Sequence, residues 1–100
     1  MINFQKQVFN LVKKIPKGRV TTYKILAEKL DNKNLARAVG NALNKNPQLI
    51  KVPCHRVINS DGYIGGYKLG QAKKLKLLSK EGVIFKNNKI INFDLYKFYL

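Results

Sequence analysis

"LARAVGNALNKN", Leu35 to Asn46, is a stretch whose two faces disagree. At helical spacing, Leu35, Val39, Ala42 and Leu43 form one apolar stripe. Arg37, Gly40, Asn41 and Asn44 fall on the opposite face, three and four residues apart. Gly40 costs roughly 1 kcal/mol of helix propensity relative to Ala. On an outward face that cost has two readings. The glycine either packs against a neighbouring helix or leaves room for something large to come close. Asn34 is placed to cap this helix, and Pro47 to end it.

Moving toward the N-terminus, Phe4, Val8, Leu11, Val12 and Ile15 also recur at helical spacing, and that helix should stop before Pro16. "IPKGRV" reads as a turn. "VTTYKILAEKL" reads as a helix capped by Thr21 or Thr22, with Ile25, Leu26 and Leu30 inward. Three short helices with tight turns, the third presenting Arg and Asn outward, form the pattern of a helix-turn-helix domain. Arg and Asn donate to bases and phosphates. Toward the C-terminus, "LIKVP" and "RVI" look extended and "NSDG" is a strong turn signal. "GYIGGYKLG" is rich in glycine. "QAKKLKLLSKEG" reads as a fourth helix, with Leu75, Leu77 and Leu78 partly inward and Gly82 as its C-cap. "VIF" and "KIINF" are placed to pair as a hairpin around "KNNK". The closing "DLYKFYL" is apolar enough to dock on the core or to meet a partner. The expected fold is mainly α: a winged helix-turn-helix-like, DNA-binding domain with a small β element after the "PCHRV" segment.

The chain is 100 residues long, which suits a single domain over 1–100. No apolar run is long enough to cross a membrane, and "MINFQKQVFN" lacks a signal peptide's continuous apolar core. The expected location is cytoplasmic, nucleoid-associated when bound to DNA. Twenty Lys and Arg face five Asp and Glu, a formal net charge of +15. Such a field attracts polyanions, although lysines spread for solubility would also produce it. Arg19, Arg37 and Arg56 are the three arginines, and all lie in the first sixty residues.

The single cysteine and single histidine are adjacent, Cys54 and His55, inside "KVPCHRVINSDG". One of each excludes an internal disulfide and the usual zinc sites, which need about four such ligands. Cys54 is therefore either inert packing or a working thiol. A thiol attacks only as thiolate, from an ordinary pKa of about 8.5, so it needs a base. His55 is the obvious one. Yet adjacent residues of an extended chain point to opposite faces, so contact needs a bridging water or a sharp turn. Pro53 holds Val52 extended and stiffens the approach. Glu81, near the end of the fourth helix, stands against the helix dipole. A buried functional pairing would explain that cost.

"PCHRV" at Pro53–Val57 resembles the active-site signature of the O6-alkylguanine-DNA alkyltransferases, the methylated-DNA–protein-cysteine methyltransferases. "GRVTTYKILA", "ARAVGNALNKNP", "VPCHRVI", "GGYKLG" and "KLLSKEG" occur in that family's order and spacing, from about Phe9 to Phe85. The resemblance implies single-turnover transfer of an alkyl group from O6 of guanine, or O4 of thymine, to Cys54. His55 would be the water-mediated base, with Glu81 orienting it. Asn46 would support the turn between the recognition helix and the active-site segment. Tyr23 would help rotate the phosphate and donate to the departing guanine. Arg37 would fill the gap left by the flipped base. The resemblance also sets Thr22, Gly40 and Asn41 against DNA, through the minor groove. Tyr67 would pack on the flipped base, Lys74 would lie close to the pocket, and the Val57 carbonyl would accept from the guanine amino group. The implied partner is duplex DNA containing O6-alkylguanine, bound by a monomer with no metal or other cofactor and no membrane.

Two departures stand out. Most members carry a further N-terminal domain, which is expected to be absent here. Lys68 and Leu69 follow Tyr67 where serine and glycine are common, so the pocket rim and its range of alkyl groups should differ. Non-catalytic alkyltransferase-like proteins, which only bind lesions, are the main rival; they lack the cysteine. A basic structural protein would explain the charge but not the Cys–His pair. A cysteine hydrolase lacks room for a peptide cleft.

Overall fold

The apolar stripe of the first helix is buried where its spacing demands. A computed structural model describes residues 4–30, 35–47 and 51–100. In it α1 spans Phe4–Val12, with Val8 and Val12 fully buried. The chain then turns through Ile15, also buried, and Gly18 adopts a left-handed φ of 85°. Thr21–Thr22 form a two-residue strand, β1, rather than the start of a helix. The helix α2, Tyr23–Lys29, begins one residue later, and the Thr22 hydroxyl accepts from the Ile25 amide at 3.0 Å. That bond satisfies one of the orphan donors of the first turn. The helix α3, Ala36–Asn44, packs against both α1 and α2. Val39, Ala42 and Leu43 are buried and Arg37, Asn41 and Asn44 exposed, as the two faces of the stretch require. The expected Asn34 cap lies outside the described residues.

Between the segments read as extended, the chain makes the sharp turn that was one of the two options for Cys54 and His55. Cys54–Arg56 is one turn of 3-10 helix, closed by the Val57 amide on the Cys54 carbonyl. Val57–Ile58 then form β2, which pairs in parallel with β1 in the register Thr21↔Val57 and Thr22↔Ile58. This short ladder fixes the start of α2 beside the Cys–His segment. The fourth helix, α4, spans Gln71–Lys80. Its end is a Schellman closure: Gly82 at φ 92° donates to Ser79, and Val83 donates to Leu78 at 3.0 Å. Phe85–Lys86 (β3) and Lys89–Ile90 (β4) form the antiparallel hairpin. Asn87 and Asn88 both take positive φ at its tip, the geometry of a type I′ turn that asparagine tolerates.

The closing segment docks. Phe93–Tyr96 make a single-turn helix, α5. Beyond it the Val20 amide donates to Tyr96 and the Phe98 amide to Val20, at 2.9 and 2.7 Å. The tail thereby covers the free side of the chain entering β1. Two apolar clusters result. One joins α1, α2 and α3 to Val52, Cys54 and Val57. The other joins Val20, Ile58, Ile64, Leu78, Val83 and Ile90. Truncating a fully buried member such as Leu26 to Ala costs about 2–5 kcal/mol. Five α-helices and short strands, among the described residues, make this a mainly helical domain.

Candidate active site

A cleft of about 560 Å³ opens between α2, α3 and the loop before α4, and Cys54 forms part of its wall. Tyr23, Arg37, Gly40, Asn41, Tyr67 and Lys68 line it as well. The helix-turn-helix face and the thiol thus share one concavity.

Cys54 is 5% exposed and forms part of the wall of that cleft. Its amide is bound to the Val52 carbonyl at 2.7 Å. The Asn46 side-chain amide donates to that same carbonyl at 2.9 Å and approaches the sulfur at 3.6 Å. Asn46 is fully buried just past the end of α3, so it ties that helix to the turn that carries Cys54. Burial pushes the thiol above its ordinary pKa; the Asn46 contact and the charges of Lys74 and Lys68 pull against it without cancelling it. At rest the group is a protonated thiol that needs a base.

The turn solves the problem of adjacency. Successive side chains of a 3-10 helix diverge by about 120° rather than 180°. Cys54 faces the cleft while His55 passes inward to Glu81. Its Nε2 lies 3.0 Å from Glu81 Oε2. Burial lowers the His55 pKa more than the neighbouring carboxylate raises it, so the ring is neutral near pH 7. A carboxylate only accepts, so the proton resides on Nε2 and Nδ1 carries the lone pair. Nδ1 is buried and has no protein partner. It is the one ring atom left open to accept a proton.

Glu81 caps α4 at its negative end. Arg56 explains how it can. Its Nε donates to Glu81 Oε1 at 2.9 Å and its Nη2 to Oε2 at 2.7 Å. Its Nη1 donates to the Ile15 carbonyl at 2.9 Å. Burial pushes the carboxyl up, but the bonds from Arg56 and His55 outweigh it and hold Glu81 below the usual carboxylate range. Arg56 was not among the expected site residues. Its sequence signal is its place inside "PCHRV": an arginine next to His55, in a chain where lysine is the common cation.

Lys74 is fully buried on a lysine-rich helix. Its Nζ donates to the Val57 carbonyl at 2.6 Å and to the Gly66 carbonyl at 2.9 Å, with the Tyr23 hydroxyl at 3.5 Å. Burial pulls its pKa down to about 7. The Val57 carbonyl, expected to meet a base amino group, already accepts from Lys74 and has one lone pair left. The Tyr23 hydroxyl donates to Gly66 at 3.4 Å, and burial raises its pKa to about 12. It therefore keeps its proton. Tyr67 stands edge-on to His55, ring centroids 6.5 Å apart, and its hydroxyl is buried without a partner.

On the outward face, Arg37 and Asn41 are exposed at the cleft. A Cβ on Gly40 would meet Tyr23 at 3.9 Å, an ordinary contact. Packing inside the protein therefore does not demand glycine there. Thr22 is 2% exposed and spends its hydroxyl on the α2 cap. It holds Tyr23 in place from within instead of standing on the outward face.

Comparison with known proteins agrees with this geometry. The family described as "6-O-methylguanine DNA methyltransferase, DNA binding domain" matches residues 3–83. The methylated-DNA–protein-cysteine methyltransferase of Sulfolobus acidocaldarius is 52% identical over 81 residues, 81% of this chain and 50% of that protein. The chain spans about half the length of the curated methyltransferases it matches. The O6-methylguanine-DNA methyltransferase structure from Pyrococcus kodakaraensis superposes with a TM-score of 0.74 at 44% identity, over 83% of this chain and 48% of that one. S. pombe Atl1, solved in complex with damaged DNA containing O6-carboxymethylguanine, superposes with a TM-score of 0.81 at 30% identity over the whole of both chains. With the fold, the Cys–His–Glu chain and these likenesses together, the chain belongs to the 6-O-methylguanine DNA methyltransferase DNA-binding-domain family.

Proposed function

We propose that this chain repairs DNA by moving an alkyl group, methyl in the simplest case, from O6 of guanine to Cys54, once per molecule. O4 of thymine is a second substrate in the same geometry. The observation that carries the reading is a thiol in the wall of the cleft followed in the chain by a buried histidine that a carboxylate holds. Cys54 lines the cleft, His55 Nδ1 is an unpartnered buried base, and Glu81 fixes the ring.

The alkyl carbon lies inside a stacked duplex, so the nucleotide must leave the stack, at a cost of a few kcal/mol. Arg37 fills the vacated space and offsets part of that cost. Gly40 lets the backbone of α3 come close to DNA, and Asn41 contacts it beside Arg37. The flipped base packs on Tyr67, and its amino group donates to the remaining lone pair of the Val57 carbonyl. The Cys54 proton passes through a water to His55 Nδ1. The thiolate attacks the alkyl carbon, the carbon–O6 bond breaks, and the electron pair goes to guanine. Tyr23, which keeps its proton at neutral pH, donates to the leaving base, and Lys74 steadies the hydroxyl. The product is a thioether, which thiol exchange does not reverse, so the protein is consumed.

The full-length likeness to Atl1 favours a second reading, a lesion-binding protein without transfer. Cys54 in the cleft argues for chemistry. Wild type and Cys54→Ala are to be incubated with duplex carrying O6-methylguanine, and the DNA bases then analysed. The expected result is one lesion restored per wild-type molecule, and none by Cys54→Ala although it still binds the lesion. Lesion-selective binding by wild type with no restoration would replace transfer by marking.

A further inference from the structure

Lys68 brings a cation to the wall of the cleft that holds Cys54. Its Nζ donates to the Asn46 carbonyl at 3.1 Å. The side-chain amide of that same Asn46 reaches the Cys54 sulfur at 3.6 Å. The ammonium is thereby tethered to the residue that positions the nucleophile. An ammonium has three N–H donors, and this contact occupies one. Lys74, the other ammonium near the sulfur, is different: it is fully buried and committed to the Val57 and Gly66 carbonyls. Lys68 is an exposed residue, and its tethered head keeps two N–H donors for a ligand in the cleft.

A methyl group on O6 offers such a cation nothing. An alkyl group ending in a carboxylate, carboxymethyl being the shortest, offers two acceptor oxygens two bonds beyond the carbon under attack. We propose that Lys68 makes this cleft selective for O6-guanine adducts whose alkyl group carries a carboxylate, with carboxymethyl as the simplest case. The inference rests on the transfer reading and deepens it. Cys54 sulfur bonds to the CH2 carbon of the adduct, the CH2–O6 bond breaks, and guanine takes the electron pair and accepts from Tyr23, while the proton released by the thiol rests on His55. The carboxylate stays on the new S-carboxymethyl group, paired with Lys68, and no other reactant is consumed.

The same ammonium also favours the thiolate, which would speed every adduct equally. The ratio of two adducts separates the roles. Duplexes identical except for O6-carboxymethylguanine or O6-methylguanine are given to wild type, Lys68→Ser and Lys68→Arg, and single-turnover transfer is followed by intact-protein mass. Lys68→Ser should lower the carboxymethyl-to-methyl rate ratio about tenfold, the worth of one charge-assisted hydrogen bond. Lys68→Arg should restore most of it. A ratio unchanged in Lys68→Ser, or wild type that transfers methyl but not carboxymethyl, overturns the selectivity and leaves alkyl transfer standing. Wild type that transfers neither overturns transfer itself, and the selectivity with it.

Discussion

Replacing Glu81 by Gln removes one charge and keeps the shape, so it isolates the work of that carboxylate. Three donors converge on it: Arg56 Nε at 2.9 Å, Arg56 Nη2 at 2.7 Å and His55 Nε2 at 3.0 Å. The Arg56 and Glu81 side chains are 15% and 12% exposed, so water screens the pair little. A hydrogen bond to a charged group is worth about 1.5–3 kcal/mol. Gln keeps one acceptor and turns the other into a donor facing Arg56 or His55. The net cost should be about 2–3 kcal/mol. For a domain of this size that lowers the melting temperature by about 10–20 °C. The sign with pH follows from Glu81 being held below the usual carboxylate range. A depressed carboxyl stabilises the fold above its unfolded pKa of about 4.3, and the contribution fades as pH falls through the folded value. The gap between wild type and Glu81→Gln should therefore be full at pH 7.5 and close in acid. Methyl transfer should fall about a hundredfold, because the ring loses the group that selects its tautomer. Circular dichroism melts at both pH values, with single-turnover transfer at pH 7.5, test this. A variant melting within about 2 °C of wild type at pH 7.5 and transferring at the wild-type rate would refute the reasoning.

Arg37→Ala should slow repair in duplex DNA far more than reaction with free O6-benzylguanine, which has no stack to fill; equal losses would remove the flipping role. Binding to duplex should weaken steeply as salt rises, given the charge of +15; a flat response would sink the electrostatic account. Lys74 has a folded pKa of about 7 against 10.5 for the free side chain, so the folded state binds its proton less well. Stability should rise between pH 7 and about 8.5, before the unfolded chain's thiol ionises, by up to about 1.4 kcal/mol per unit. Lys74→Met should flatten that rise in denaturant titrations, and a slope equal to wild type would contradict a buried, depressed lysine.

What could be read in the sequence was local. The stripes Val8–Val12–Ile15 and Val39–Ala42–Leu43 announced their buried faces, Thr22 its cap, Gly82 its closure and the two asparagines their hairpin turn. The odd placement of Glu81 against a helix dipole pointed to a pairing, and the pairing with His55 is there. What escaped was non-local or masked by composition. β1 and β2 are two residues each, too short for any alternation, and their parallel pairing joins residues 36 apart. The 3-10 turn at Cys54 is not singled out in a run of β-branched and proline residues that reads as extended. Lys74 is one of four lysines in α4, and nothing but the family resemblance marked it as different, although it alone is buried. Arg56 counted as one more positive charge, whereas its three bonds hold Glu81, and through Glu81 the histidine.

The most direct test is intact-protein mass after incubation with duplex DNA carrying O6-methylguanine, followed by peptide mapping. Transfer predicts a gain of one methylene unit, confined to the peptide containing Cys54 and stopping at one per molecule however much substrate is added. No gain, with the lesion bound tightly and unchanged, would contradict it.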